Sequence, residues 1–146
     1  MASTCGRLAW KDNQPFGVEI DFDLREPLTE IERDALRDLL YQNGLLLLRG
    51  QRLTMDDQTR LSECFGPVLR SGSDGIGYVS NVEGKGGQGR IRLPFHSDLA
   101  FTSDPYLVIS FLAIDVQGGR SSTRFASGAH TFRKLPAELK TRLEGL

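Results

Sequence analysis

A chain of 146 residues is long enough for one domain with its own core. With a net charge of −1, bulk electrostatics give no pull toward nucleic acid or an anionic membrane. The apolar runs are far too short to span a bilayer, and Met1 to Gly6 lacks the apolar stretch of a secretion signal.

From Phe16 to Leu24 the sequence alternates, with Phe16, Val18, Ile20, Phe22 and Leu24 set against Gly17, Glu19, Asp21 and Asp23. This period of two predicts a half-buried strand. Thr29 followed by Glu32 forms a capping box. It opens a helix whose apolar stripe is Ile31, Ala35, Leu36, Leu39 and Leu40, and Gly44 stops it. Leu45 to Leu48 predicts a short strand buried on both faces. A second helix starts at Thr54, turns Leu61, Cys64 and Phe65 inward, and ends at Gly66-Pro67. Cys5 and Cys64 have neither CxxC nor metal spacing and read as reduced thiols of a cytoplasmic protein.

Glycine is dense from Gly72 to Gly89, interrupted by a strand-like piece at Ile76 to Val79. Gly84 to Gly89 spells G-x-G-x-x-G, but a dinucleotide site needs a helix to open next. Pro94 instead favours extended backbone before it, so the segment reads as a loop joining strands. Leu93 to Phe101 alternates again, Tyr106 to Val116 predicts a long buried strand, and Gly118-Gly119 predicts a turn. A short strand follows near Thr123 to Phe125. A last helix starts around Pro136 and is expected to bury Leu139 and Leu143. Without regular strand-helix alternation, the order argues for a β-sheet core flanked by helices rather than a doubly wound sheet.

His96-Ser97-Asp98 is the triplet that carries chemistry. In a strand, residues two apart project to one face about 6–7 Å apart, so an imidazole and a carboxylate would share a side. That pair is the local half of a facial triad, two histidines and one carboxylate, which leaves coordination positions open for a co-substrate and dioxygen. Alone, the triplet is also a common polar pair.

Its surroundings make it specific. Asn43 to Gln51, Leu53-Thr54, the helix ending at Phe65-Gly66-Pro67, Pro94 to Phe101, Gly118-Gly119, Thr123 to Ala126 and Leu135-Pro136 occur in the order seen in one family. The chain from about Phe16 resembles the taurine dioxygenase and chlorophenoxyacetate dioxygenase (TauD/TfdA) family. The resemblance implies a double-stranded β-helix, or jelly roll, of mixed α/β content with flanking helices, incomplete at its C-terminus. Residues 1–146 would then be the N-terminal part of a single dioxygenase domain. It implies Fe(II) held by His96 and Asp98, with 2-oxoglutarate as co-substrate held in part by Thr123. Dioxygen and a small, acidic organic molecule would be the other reactants, with succinate and CO2 released.

Three departures accompany the likeness. The turn from Gly118 to Thr123 is longer than the family's and lacks its acidic residue, and Phe95 stands where tryptophan is common. The family's second iron-binding histidine and its 2-oxoglutarate-binding arginine lie beyond any match in this tail. His130 reads as a surface or helix-packing residue. Arg120 and Arg124 flank Thr123 and could attract a carboxylate, but the default for this basic tail is a solvated face. Tyr78, Asn81 and Arg92 precede the ligand box, where a substrate could be contacted, but each reads first as structural. Two other readings compete: an inactive truncated homologue, and a β-rich protein binding another divalent ion. An incomplete jelly roll leaves open strand edges, so aggregation or a homo-oligomer is expected.

Overall fold

The computed structural model describes residues 3–69, 77–82, 87–88, 92–116 and 122–144. Its first strands grow from a two-residue hairpin. Strand β1 (Ser3–Cys5) pairs antiparallel with β2 (Leu8–Asp12), Ser3 opposite Trp10. Gly6 takes the first loop position at φ +57°, the left-handed backbone that such tight hairpins favour with glycine. Strand β2 pairs antiparallel with β3 (Val18–Asp21), Trp10 opposite Ile20. The alternation extends past the strand itself: Val18, Ile20, Phe22 and Leu24 are all buried.

Thr29 and Glu32 decide where helix α1 (Glu30–Asn43) begins. The Glu32 N–H donates to Thr29 Oγ1 at 3.3 Å, and the Thr29 N–H donates to Glu32 Oε2 at 2.8 Å. Gly44 ends the helix at φ +74°, its N–H donating to the Leu40 carbonyl at 2.7 Å. Leu36 and Leu39 are buried in the core, as the stripe predicts. Ile31 departs from it at 69% exposed, while its neighbour Glu32 is buried.

The reason lies in the hairpin turn. Arg7 donates to Glu32 Oε1 from its backbone N–H and from Nε, both at 2.9 Å, and to Oε2 from Nη2 at 2.8 Å. With the Thr29 amide the carboxylate receives four donors, which offsets its loss of water. The Arg7 guanidinium also lies 5.0 Å over the Phe22 ring.

Strand β4 (Leu46–Leu48) runs parallel to β3, with α1 as the crossover that a parallel pair needs. The sheet order is β1-β2-β3-β4, so β4 is its last strand and is half-buried rather than covered on both faces. Gln51 extends the pairing with its side chain. Its Oε1 accepts from the Leu24 N–H at 3.1 Å and its Nε2 donates to the Phe22 carbonyl at 2.8 Å. A side-chain amide thus substitutes for a peptide where the chain turns away.

Helix α2 (Met55–Ser62) opens on a second capping box, Thr54 with Asp57. Cys64 is buried and Leu61 and Phe65 pack against the core. Arg60 Nη2 ties the helix to the Leu24 carbonyl at 3.2 Å and pairs within the helix with Asp57 Oδ1 at 2.7 Å. In the second half, β5 (Val79–Ser80) and β6 (Gly87–Gln88) form a short parallel pair. Ile76, most of the G-x-G-x-x-G stretch and the Gly118-Gly119 turn lie outside the described residues.

The strands expected over Leu93 to Phe101, Tyr106 to Val116 and Thr123 to Phe125 are not formed. A strand exists through its hydrogen-bonded neighbour, and no such neighbour pairs with them among the described residues. Leu107, Phe111 and Ile114 stay 74, 61 and 68% exposed. Two helices close the described chain, α3 (Gly128–Lys134), capped by Ser127, and α4 (Ala137–Leu143), entered through Pro136. Leu139 and Leu143 are 40% and 46% exposed, not buried as expected. The result is a mixed α/β chain with a mostly antiparallel sheet.

Candidate metal centre

Pro94 fixes the chain ahead of the histidine and offers the first contact. The His96 Nδ1 lies 2.8 Å from the Pro94 carbonyl. A carbonyl only accepts, so Nδ1 carries the proton and Nε2 is the nitrogen turned toward chemistry. That nitrogen sits 2.9 Å from Asp98 Oδ1, with the two side chains 50% and 40% exposed. The Pro94 hydrogen bond, and after it the Asp98 charge, raise the His96 pKa above its ordinary value against partial desolvation.

The pair meets by a route different from the expected one. In a strand the two side chains would stand side by side, about 6–7 Å apart at their roots. Here the backbone curls after His96. The Ala100 N–H donates to the Ser97 carbonyl at 3.4 Å, and Leu99 adopts φ +54°. The Leu99 carbonyl then accepts from the Thr102 N–H at 2.9 Å and from Thr102 Oγ1 at 2.8 Å. The turn swings the carboxylate back onto the ring.

The donors suit a divalent ion in kind and in spacing. Two adjacent ligands about 2.1 Å from a metal, at right angles, are separated by roughly 3 Å. The observed 2.9 Å equals that edge. Fixing the far ring nitrogen on a backbone carbonyl is the usual second contact of a metal-binding histidine. An ion seated between the two atoms would require little rearrangement of either side chain.

Other expected residues lie apart. Thr123 is exposed in the stretch without regular secondary structure before α3, and no hydrogen bond joins it to His96 or Asp98 among the described residues. His130 is in the first turn of α3, its N–H donating to Ser127 Oγ at 3.1 Å and its ring 6.5 Å from that of Phe16. That is the packing role expected of it. Arg120 lies outside the described residues, and Tyr78, Asn81, Arg92 and Arg124 are exposed. Among the described residues no group of three metal-ligating side chains occurs; His96 and Asp98 are the candidate donors brought together. No helix among them is long and apolar enough to cross a membrane.

The family model described as taurine catabolism dioxygenase TauD, TfdA family matches residues 10–146. The chain belongs to that family. It is also similar to an alpha-ketoglutarate-dependent 2,4-dichlorophenoxyacetate dioxygenase of Cupriavidus pinatubonensis, 30% identical over 153 aligned positions. The match takes in 89% of this chain and 52% of that protein, so the chain spans about half the length of the curated relative. Two features around the His96–Asp98 pair escaped the sequence: the Pro94 carbonyl that orients the ring and the Thr102 contact with Leu99. A proline two residues before the histidine hints at the first. Nothing local signals the second.

Proposed function

We propose that residues 1–146 are the N-terminal part of a single Fe(II)- and 2-oxoglutarate-dependent dioxygenase domain of the jelly-roll type. The reading is supported most by one observation: within a chain of this family, His96 Nε2 and Asp98 Oδ1 stand at the separation of adjacent metal ligands. His96 and Asp98 hold ferrous iron, and Thr123 helps hold a carboxylate of 2-oxoglutarate. Bound there, iron would supply dioxygen activation, one oxygen atom entering a substrate C–H bond and the other entering succinate as 2-oxoglutarate loses CO2. The chain's own contribution is orientation. The Pro94 carbonyl keeps the Nδ1 proton away from the metal side, and the 97–102 turn holds the carboxylate beside Nε2. Substrates are small organic acids, acting in the cytoplasm without nucleic acid or membrane.

Anaerobic addition of Fe(II) and 2-oxoglutarate to the protein tests this. A visible charge-transfer band should appear and should be lost in both His96→Ala and Asp98→Ala. A protein that takes up no iron overturns the reading, and retained turnover with other divalent ions but no 2-oxoglutarate consumption points outside oxygen chemistry. Self-association is supported by the exposed apolar side chains of Leu107, Phe111 and Ile114. Elution as a monomer would oppose it.

A further inference from the structure

Ser110 anchors a segment that otherwise has no hydrogen-bonded neighbour. Gln58 Nε2, on α2, donates to the Ser110 carbonyl at 3.1 Å and to its hydroxyl at 3.2 Å. No backbone-to-backbone hydrogen bond reaches residues 106–114 among the described residues. Burial nevertheless alternates there: Val108, Ser110 and Leu112 are half-buried, while Leu107, Ile109, Phe111 and Ala113 are exposed. A period of two is the mark of a strand with one covered face. In a strand, the N–H and C=O of one residue point to the same edge, and successive residues point to opposite edges. Gln58 therefore caps the edge that Ser110 faces. The other edge presents the unbonded amides and carbonyls of Leu107, Ile109, Phe111 and Ala113.

The segment is complementary to itself in charge and in faces. Residues 105–114 carry no charge, and Asp104 and Asp115 flank them. Two such segments in parallel register would set acid against acid at both ends, a destabilising placement. Run antiparallel about a two-fold axis at Ser110, Asp115 meets Pro105 and Asp104 meets Val116. The same register sets Ile109 opposite Phe111 and Leu107 opposite Ala113, so exposed side chains share one face and half-buried ones the other. A slip of one residue would mix the faces. Ile109 and Phe111 then exchange both backbone hydrogen bonds, and Ser110 keeps its carbonyl on Gln58. Surface area calls for a cover of this kind. A compact protein of 16.2 kDa exposes about 7,500 Å², whereas this chain exposes 11750 Å². The surplus, about 4,000 Å², is of the size that obligate homodimers bury. We propose that residues 106–114 form an interface, pairing antiparallel with the same segment of a second copy, Ser110 opposite Ser110. The inference rests on the proposed self-association and specifies where it occurs.

Analytical ultracentrifugation tests it, and the parent chain should sediment as a dimer. Ile109→Lys and Phe111→Lys replace exposed side chains, so the monomer loses no packing, and dimer affinity should fall at least about a hundredfold. Ile31→Lys, also at an exposed position but on α1, should leave the dimer intact. In a Cys5→Ser background, Ser110→Cys should form an intermolecular disulfide, because directly opposed residues bring their Cα atoms to about 4.5–5.5 Å. Leu107→Cys should not, since its two copies lie about 20 Å apart along the pair. A dimer that survives both lysine variants, or that cross-links as readily through Leu107→Cys, overturns this pairing and leaves self-association standing. A monomeric parent overturns both, and assigns the edge to another occupant such as further strands of the jelly roll. Growth into fibres of parallel register overturns the closed two-fold pair.

Discussion

Leu36 and Ile31 sit on the same helix, both in the stripe that sequence periodicity turns inward, yet the fold treats them oppositely. Leu36 is 0% exposed among Leu8, Val18, Ile20, Phe22, Leu24 and Leu39, whereas Ile31 is 69% exposed. Leu36→Ala removes three carbon atoms from a sealed site. At about 0.8 kcal/mol per buried methylene the transfer cost is roughly 2.4 kcal/mol. The residual cavity brings the expected loss to about 3–4 kcal/mol, inside the range measured for such truncations. Natural domains hold only about 5–15 kcal/mol. A core of eight buried apolar side chains among the described residues places this one near the lower end, so the variant should be barely folded at room temperature. Urea titration followed by the fluorescence of Trp10, the single tryptophan and a neighbour of that core, measures it. Ile31→Ala should stay within about 0.5 kcal/mol of the parent, as exposed substitutions do. A loss below about 1 kcal/mol for Leu36→Ala, or equal losses for the two, would refute the packing described.

Gly6→Ala should destabilise by about 1–2 kcal/mol on conformational grounds alone. A Cβ there would also meet Glu32 Oε1 at 2.9 Å, and thermal denaturation reads the sum. Glu32 is held well below the usual carboxylate range, first by the Arg7 side chain and then by the Thr29 amide. Its stabilisation is therefore complete above the unfolded value of about 4.3 and is lost as pH falls through the lower folded value. The melting-temperature gap between the parent and Glu32→Gln should be wide at pH 6 and narrow steadily below pH 4; a constant gap would contradict the assigned network. Gln58→Ala removes two contacts to Ser110, at 3.1 Å to its carbonyl and 3.2 Å to its hydroxyl. Hydrogen exchange should speed up several-fold over residues 106–116, while global stability falls by no more than about 1 kcal/mol.

The parts of the fold that were legible are those written in short-range chemistry. Thr29 with Glu32 and Thr54 with Asp57 are each decided within three residues, and both helices begin where those boxes put them. Period two likewise exposed the inward face from Val18 to Leu24. What depends on distant chain was hidden. Glu32 reads as a solvent-facing acid until Arg7, 25 residues earlier, is folded against it. Leu93 to Phe101 and Tyr106 to Val116 have the composition of strands, but composition does not provide a partner. At the candidate centre, His96 and Asp98 stood out by identity and spacing, while the means of bringing them together was misread. A turn through Leu99 does what an extended segment was expected to do, because an unpaired segment is free to curl. Thr123 could be selected only through family likeness, since an exposed threonine carries no mark of its own.

The carboxylate beneath the hairpin has a mechanical corollary. It answers at once to the amide of Arg7 and the amide of Thr29, so the loop joining the first two strands and the opening turn of the long helix share one fastening. Neither can fray alone without stranding a charge out of reach of water. The amino-terminal edge of the sheet and the helix that crosses it must therefore open and close as one unit.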